Sequence, residues 1–410
     1  MIKGIELELA KEILLSKVKT TEVESINIME SLNRVLAEDI YATINVPEFN
    51  RSPLDGYAVK SNDVKNASKE NPIKLKVIGT APAGRVFKGE AKENTTIKIM
   101  TGAMIPHGYD TIIRKEDTDE GIEFVNIYVS SKAYENFVDI GEDVKKGEKL
   151  ILKGTTINPG CVGMFAALGM REVNVYKKPK IGVLSTGTEL RDITQSLDEG
   201  KIYNSNIYSI SASIIQHGGI PISLGIVEDD LEKISEIFRE KVNECDFIIS
   251  TGGASVGDYD LIQNAYDKIG AETIFSRVKM KPGTPALASE YKEKILIGLS
   301  GNPGAALITF EVMVRPLIKK ICGSRNWERN KVVGVMMDDF KKTSSQRRFM
   351  RVKVVKKEER VEIYLSGKQN PGVLRSMIDC NGLVDIPSNS SPLEKGQKVD
   401  VILLDEEGAK

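Results

Sequence analysis

Three short apolar segments between Ile181 and Pro303, each ending in small residues, constrain the fold of this chain most. They read IGVLSTGTEL, FIISTGGASVGDYD and LIGLSGNPGAA. DFIIS and KILIGLS are nearly continuous apolar runs, as parallel strands buried on both faces require. Helical patterns lie between and after the strands. NSNIYSISASIIQHGG starts with Asn and Ser and ends in Gly, DDLEKISEIFREKVNEC has an acidic first turn, and PGAALITFEVMVRPLIKKICG closes the unit. Alternation of this kind predicts a doubly wound α/β domain over residues 178–326. Ligands of such sheets bind beyond the carboxyl ends of the strands. The turns that fall there combine Gly, Ser and carboxylates, and KMKPGTP adds lysines. Together they point to a phosphate-bearing ligand with a divalent cation.

The flanking sequence predicts three further units, which makes the chain an α/β multi-domain protein. Residues 1–45 read as two helices. The first is amphipathic, with Ile5, Leu7, Ala10, Ile13, Leu14 and Val18 near helical spacing. The second, around INIMESLNRVLAEDI, puts Ile28, Leu32, Val35 and Leu36 on one face. Residues 1–45 with 141–177 are expected to form a helical/β linker domain. Residues 46–140 carry short β-branched runs between turns and predict an inserted β domain, and residues 327–410 predict a small C-terminal β-barrel.

Composition excludes several functions. The 57 basic and 58 acidic residues leave a net charge of −1, so no global field favours nucleic acid or an anionic membrane. With only two histidines, a His-based triad or His-rich metal site is not expected. The four scattered cysteines read as buried thiols of a reducing cytosol. No window has the length and apolarity of a signal peptide or a membrane span, and a cytoplasmic protein is expected.

Each candidate site segment carries a chemical and a plain reading. In TGGASVGDYD, Gly252, Gly253 and Gly257 allow a phosphate close to the backbone, and Thr251 and Ser255 stand beside them as candidate contacts. Asp258 and Asp260 suit a cation between them and that phosphate. The plain reading is a Gly turn with an acidic helix cap; no GK[ST] follows, so this is not a P-loop. In STGTEL, Ser185, Thr186 and Gly187 precede Glu189, a metal ligand or an ordinary acid of a first helical turn. Asp229 is a ligand contact or, like Asp230, an N-cap. Arg277, Lys279, Lys281 and Pro282 offer oxyanion contacts or form a solvated basic turn. Gly301, Asn302 and Pro303 open a helix that could receive an anion, or make a simple strand-to-helix turn. Asp55, Thr101, Asp143 and Arg351 lie outside the α/β unit, and turn chemistry or a surface arginine is their plain reading.

These segments, in this order, resemble the MoeA family of molybdenum-insertion enzymes, to which the C-terminal domain of gephyrin also belongs. NVPEFNRSPLDGYAV, IMTGAMIPHGYDTI, GED, STGTEL, STGGASVGD, KMKPGTP and GNPGAALITF carry the resemblance over nearly the whole chain. It implies a MogA-like α/β domain and a homodimer with the active site at the interface. It implies insertion of molybdate or tungstate into adenylylated molybdopterin, with Mg²⁺-dependent release of AMP. By motif match it implies Asp55, Thr101, Asp143, Glu189, Asp260 and Lys281 as catalytic, and Glu189, Asp258 and Asp260 as metal ligands. The remaining residues named above would contact the pterin nucleotide, and an adenylyltransferase partner would supply it. The chain departs from the family pattern at GLSGNPGAA, at PGTP (where Thr284 replaces a cation), before GED, and at Pro371 in GKQNPGVLRSM. A non-catalytic scaffold and a MogA-type pterin adenylyltransferase are the two alternative readings.

Overall fold

The computed structural model describes residues 2–252 and 258–405, with side chains left out of the description at 258–260. Its centre is a seven-stranded sheet. The strand order is Ile2–Ile5, Glu272–Val278, Leu287–Tyr291, Lys294–Ser300, Phe247–Gly252, Lys180–Thr186 and Ile220–Val227. Leu287–Tyr291 runs antiparallel to both neighbours, and the other pairings are parallel. Both faces are covered, as the apolar runs require. One face packs against Leu7–Lys17, Asn206–Gln216 and the closing helix through Leu14, Ile210, Ile308 and Leu317. The other packs against Leu231–Lys241 and Asp258–Lys268 through Phe238 and Tyr266. The closing helix runs from Pro303 to Ile321 with a π segment at Phe310–Val314.

Two expectations for the amino-terminal region need correction. Ile2–Ile5 is a strand at the edge of the α/β sheet, in register with Phe275–Val278, and the helix that follows buries Leu7, Ala10 and Leu14 in the α/β core. These residues therefore pack with the α/β unit, away from the linker. The second expected helix is absent. Val23–Asn27 is a strand paired with Glu172–Tyr176, followed by one 3₁₀ turn at Ile28–Glu30. Asn33 takes a positive φ of 63°, which an α-helix cannot accommodate. Val35 and Leu36 then bridge to Thr156 and Val175.

The linker region buries Leu36, Ile157, Phe165 and Val175 around helix Pro159–Ala167. The inserted domain is a five-stranded sheet over residues 56–127 with an apolar cluster on each side. The C-terminal strands close on themselves: Arg347–Lys356 pairs with Val361–Leu365 and also with Gly382–Ile386, which completes a five-stranded barrel. It is not wholly antiparallel, since Lys331–Met336 and Val361–Leu365 run parallel. Met280–Lys281 pairs with Arg347–Arg348 and ties the barrel to the α/β unit.

Candidate active site

Three adjacent parallel strands end together and form a polar crest. Ser185 Oγ lies 2.9 Å from Thr251 Oγ1 on the neighbouring strand. Both residues are fully buried, and their hydroxyls replace the water that strand ends normally retain. Ser185 Oγ is also 3.4 Å from Asn204 Oδ1, which accepts the N–H of Ile207. Asn206 donates through Nδ2 to the Gly301 carbonyl at 2.8 Å and so links the third strand end to the crest. Asn204 Nδ2 and Asn206 Oδ1 are buried with no hydrogen-bond partner. Such groups call for a ligand or water. The NSN sequence had suggested only a helix cap; the residue type was visible, but its aim at the crest depends on the fold.

Glycine at 252 is required by close approach, since a Cβ there would lie 2.4 Å from Thr186 Oγ1. At Gly187 a Cβ would meet the Glu189 carboxylate at 2.6 Å, so that carboxylate folds back over the strand end. Thr188 donates through its hydroxyl, at 3.0 Å, and its N–H to Asp229 Oδ2. Asp229 thus clamps the Glu189 turn, while Asp230 caps helix Leu231–Lys241. The N-cap reading therefore holds for Asp230 alone. The Lys233 N–H, with help from the Glu232 N–H, holds the Asp230 carboxyl below its usual range. A cavity of about 580 Å³ opens beside Gly187, lined in part by Arg191, Asp192, Tyr208 and Glu228. Helix Asp258–Lys268 follows the strand Phe247–Gly252 in the chain. Gly253, Ser255 and Gly257 lie outside the described residues, as do the side chains of Asp258 and Asp260. Among the described residues no group of three or more His, Cys, Asp or Glu is placed to hold a metal.

A second cavity, of about 330 Å³, lies between the α/β unit and the barrel. Lys281, Pro282, Asn302 and Arg348 line it. Pro303 starts the closing helix beside it. Behind it Arg351 is fully buried. Its guanidinium donates to the carbonyls of Val373 (2.9 Å), Asn370 (3.0 Å) and Lys368 (3.3 Å). These bonds fix the turn that roofs the cavity. The expected surface arginine is therefore a buried one, saturated by carbonyls. Gly304 is the floor against which it packs: a Cβ there would lie 2.4 Å from Arg351 Nη1.

Not every expected contact joins these groups. Arg277 is exposed at a positive φ of 62°, and Lys279 is paired with Glu6 at 2.7 Å on the sheet edge. Asp55 and Thr101 form a unit in the inserted domain. The Thr101 N–H and hydroxyl both donate to Asp55 Oδ1 at 2.8 Å and hold its carboxyl below the usual aspartate range. Asp143 lies in the adjoining linker turn, its N–H bound to the Val46 carbonyl. Among the described residues no hydrogen bond or ion pair joins Asp55, Thr101 or Asp143 to the crest or to Lys281. The two cavities above are lined without them.

The two histidines lie away from these groups. His217 is buried against Glu311 at 3.1 Å beneath the sheet, and burial lowers its pKa despite that partner. All four cysteines are free thiols, and burial raises Cys245 and Cys322 to about 11.

Comparison with known proteins covers the same ground. Residues 5–169 match the MoeA N-terminal region (domain I and II), residues 182–320 the probable molybdopterin binding domain, and residues 333–404 the MoeA C-terminal region (domain IV). The chain is 36% identical over 393 residues to a molybdopterin molybdenumtransferase of Bacillus subtilis (strain 168), covering 95% of this chain and 91% of that protein. A protein of the same name from Staphylococcus aureus (strain COL) is 36% identical over 389 residues, covering 94% and 92%. Among solved structures, a molybdopterin biosynthesis MoeA protein of Pyrococcus horikoshii superposes with a TM-score of 0.85 at 31% identity, covering 98% of this chain and 99% of that one.

Proposed function

This chain belongs to the MoeA family and is a transferase of molybdenum cofactor biosynthesis, and we propose that it inserts molybdate or tungstate into adenylylated molybdopterin with release of AMP. The observation that carries this reading is the crest: three strand ends, a glycine at 252 whose Cβ would meet Thr186, the Glu189 carboxylate folded over Gly187, and two buried amide atoms without partners. That surface suits a phosphate held against backbone N–H groups and a heterocycle bound through hydrogen bonds. Breaking a phosphoanhydride needs positioning and charge neutralisation more than a side-chain nucleophile. Carboxylates and cations are the groups present.

Glu189 fits a divalent cation, since Mg²⁺ in phosphate sites takes one or two protein carboxylates and completes its shell with phosphate oxygens and water. Asp260 and Asp258 are the proposed further acids. When bound, the cation would neutralise the charge building up on the diphosphate as AMP leaves. Glu189 also keeps its carboxylate over Gly187, where it orients that edge of the ligand. Lys281 and the cavity beneath the barrel would receive the oxyanion. Asp55, Thr101 and Asp143 would complete the site from a second subunit, in a cytoplasmic homodimer to which an adenylyltransferase passes its product. Their separation from the crest within one chain supports that assignment.

The test follows AMP after addition of adenylylated molybdopterin, Mg²⁺ and molybdate or tungstate to the purified protein. Release should depend on the cation and fall at least tenfold in Glu189→Gln and in Asp260→Asn. Full activity in both variants removes the carboxylate assignment. No AMP from the wild type with either oxyanion removes the reaction and favours a scaffold.

A further inference from the structure

Three arginines follow one another on the barrel strand Arg347–Lys356, and two of them are fully engaged. Arg347 reaches Asp385 through Nε (2.7 Å) and Nη2 (2.6 Å) and Glu8 through Nη1 (2.6 Å). Arg351 is saturated by carbonyls. Arg348, between them, lines the cavity beneath the barrel, and its Nε is buried without a partner. Among the described residues its guanidinium has no hydrogen bond or ion pair; it lies over the face of the Phe340 ring, with Cζ 5.6 Å from the ring centroid.

The register makes this arrangement costlier. Lys281 and Arg348 are direct partners in a parallel ladder, so their side chains leave the same face of two strands about 5 Å apart. Lys342 adds a third cation to the cavity wall, and among the described residues no carboxylate lines it. Like charges opposite each other destabilise a sheet, and a guanidinium nitrogen buried without a partner loses its hydration uncompensated. An anion in the cavity would offset both.

We propose that Arg348 is the oxyanion-selecting cation of this cavity and supplies from the barrel the charge that Thr284 lacks in the PGTP turn. The inference rests on the reaction proposed above and names the residue that recognises its inorganic substrate. Thr284 cannot serve that role, because its hydroxyl is committed to the Met280 carbonyl at 2.6 Å and to Gln346 at 3.3 Å. Arg348 is suited to it. A planar fork presents two parallel donors to adjacent oxygens of a tetrahedral dianion, while Lys281 acts as a point charge beside it. The position is also set by the fold, since the ladder fixes the backbone and the Phe340 ring backs the guanidinium.

Calorimetric titration of the full chain with sodium molybdate and with sodium tungstate tests this, with thermal unfolding read alongside. The wild type should bind both, and Arg348→Gln should weaken both at least tenfold. Arg348→Lys should recover part of the loss, and Thr284→Lys placed in the Arg348→Gln background should recover more. Without oxyanion, Arg348→Gln should unfold no earlier than wild type, because a repulsive neighbour has gone; a purely structural arginine would give the opposite. Equal molybdate affinity in wild type and Arg348→Gln overturns the proposal, as does absence of binding by the wild type. AMP release separates this inference from the reading beneath it. Oxyanion binding that depends on Arg348 in a protein that releases no AMP keeps the arginine and removes the reaction. AMP release with one molybdate dependence in wild type and Arg348→Gln keeps the reaction and removes the arginine.

Discussion

The crest and the cavity beneath the barrel are neighbours on one α/β unit, yet they are finished to different degrees. At the crest nearly every buried polar atom is met by the protein: Ser185 by Thr251 and Asn204, Thr188 by Asp229, Gly301 by Asn206. Among the described residues two amide atoms are left over. The cavity has a well-satisfied frame in Arg351 and its turn, but among the described residues its charged lining is wholly cationic and makes no ion pair. Hydrogen bonds among protein groups preorganise the first surface. The second retains electrostatic energy that an anion would release. Perturbing each should therefore have a distinct signature.

The largest expected effect comes from the frame of the cavity. Arg351→Met removes donors to three part-buried carbonyls, each costing ~1 kcal/mol or more when left unmet. Unfolding in urea should show a loss of about 3 kcal/mol or more, with the barrel signal moving first. A loss below about 1 kcal/mol would mean that the turn holds itself, and the contrast between framed and unframed parts of the cavity would fail. At the crest the effect should be smaller. Ser185→Ala removes one shared hydroxyl contact, for about 1 kcal/mol. The rise in melting temperature on adding molybdate should survive in this variant. If that rise disappears, the crest and the cavity are one site.

The sequence exposed these two regions unequally. The strands of the crest are legible because burial on both faces leaves no choice but continuous apolar residues, and the turns at their ends had to be small. Asp230 was readable as a cap for the same local reason. Other features rest on distant pairing. Residues 26–40 carry helical spacing, but the partner strand Glu172–Tyr176 and the positive φ of Asn33 override it. Leu287–Tyr291 was hidden because its hairpin turns through Lys292 and Glu293, both at positive φ, without the usual Asn or Gly. Lys281 was legible as a cation and Arg351 as a strand residue. That Arg348 and not Arg351 meets Lys281 is decided by register between two domains, and no local pattern encodes it.

Salt gives the finest discrimination between the two regions. Lys281 and Arg348 repel each other at a distance shorter than the Debye length, which falls from ~10 Å at 0.1 M salt to ~3 Å at 1 M. Raising sodium chloride across that range should stabilise the wild type by a few tenths of a kcal/mol, the size typical of a partly exposed charge pair, here with reversed sign. Ser185→Ala should follow the wild-type slope, because the crest is held by neutral hydroxyl and amide contacts that salt barely touches. Arg348→Gln should lose most of the slope. A wild type destabilised by salt would mean that its many surface ion pairs, such as Lys177–Glu22 and Lys241–Glu244, outweigh the cavity; the informative quantity is then the difference between wild type and Arg348→Gln, from which those pairs cancel. If that difference is zero, the two cations are already neutralised, and the cavity is as finished as the crest.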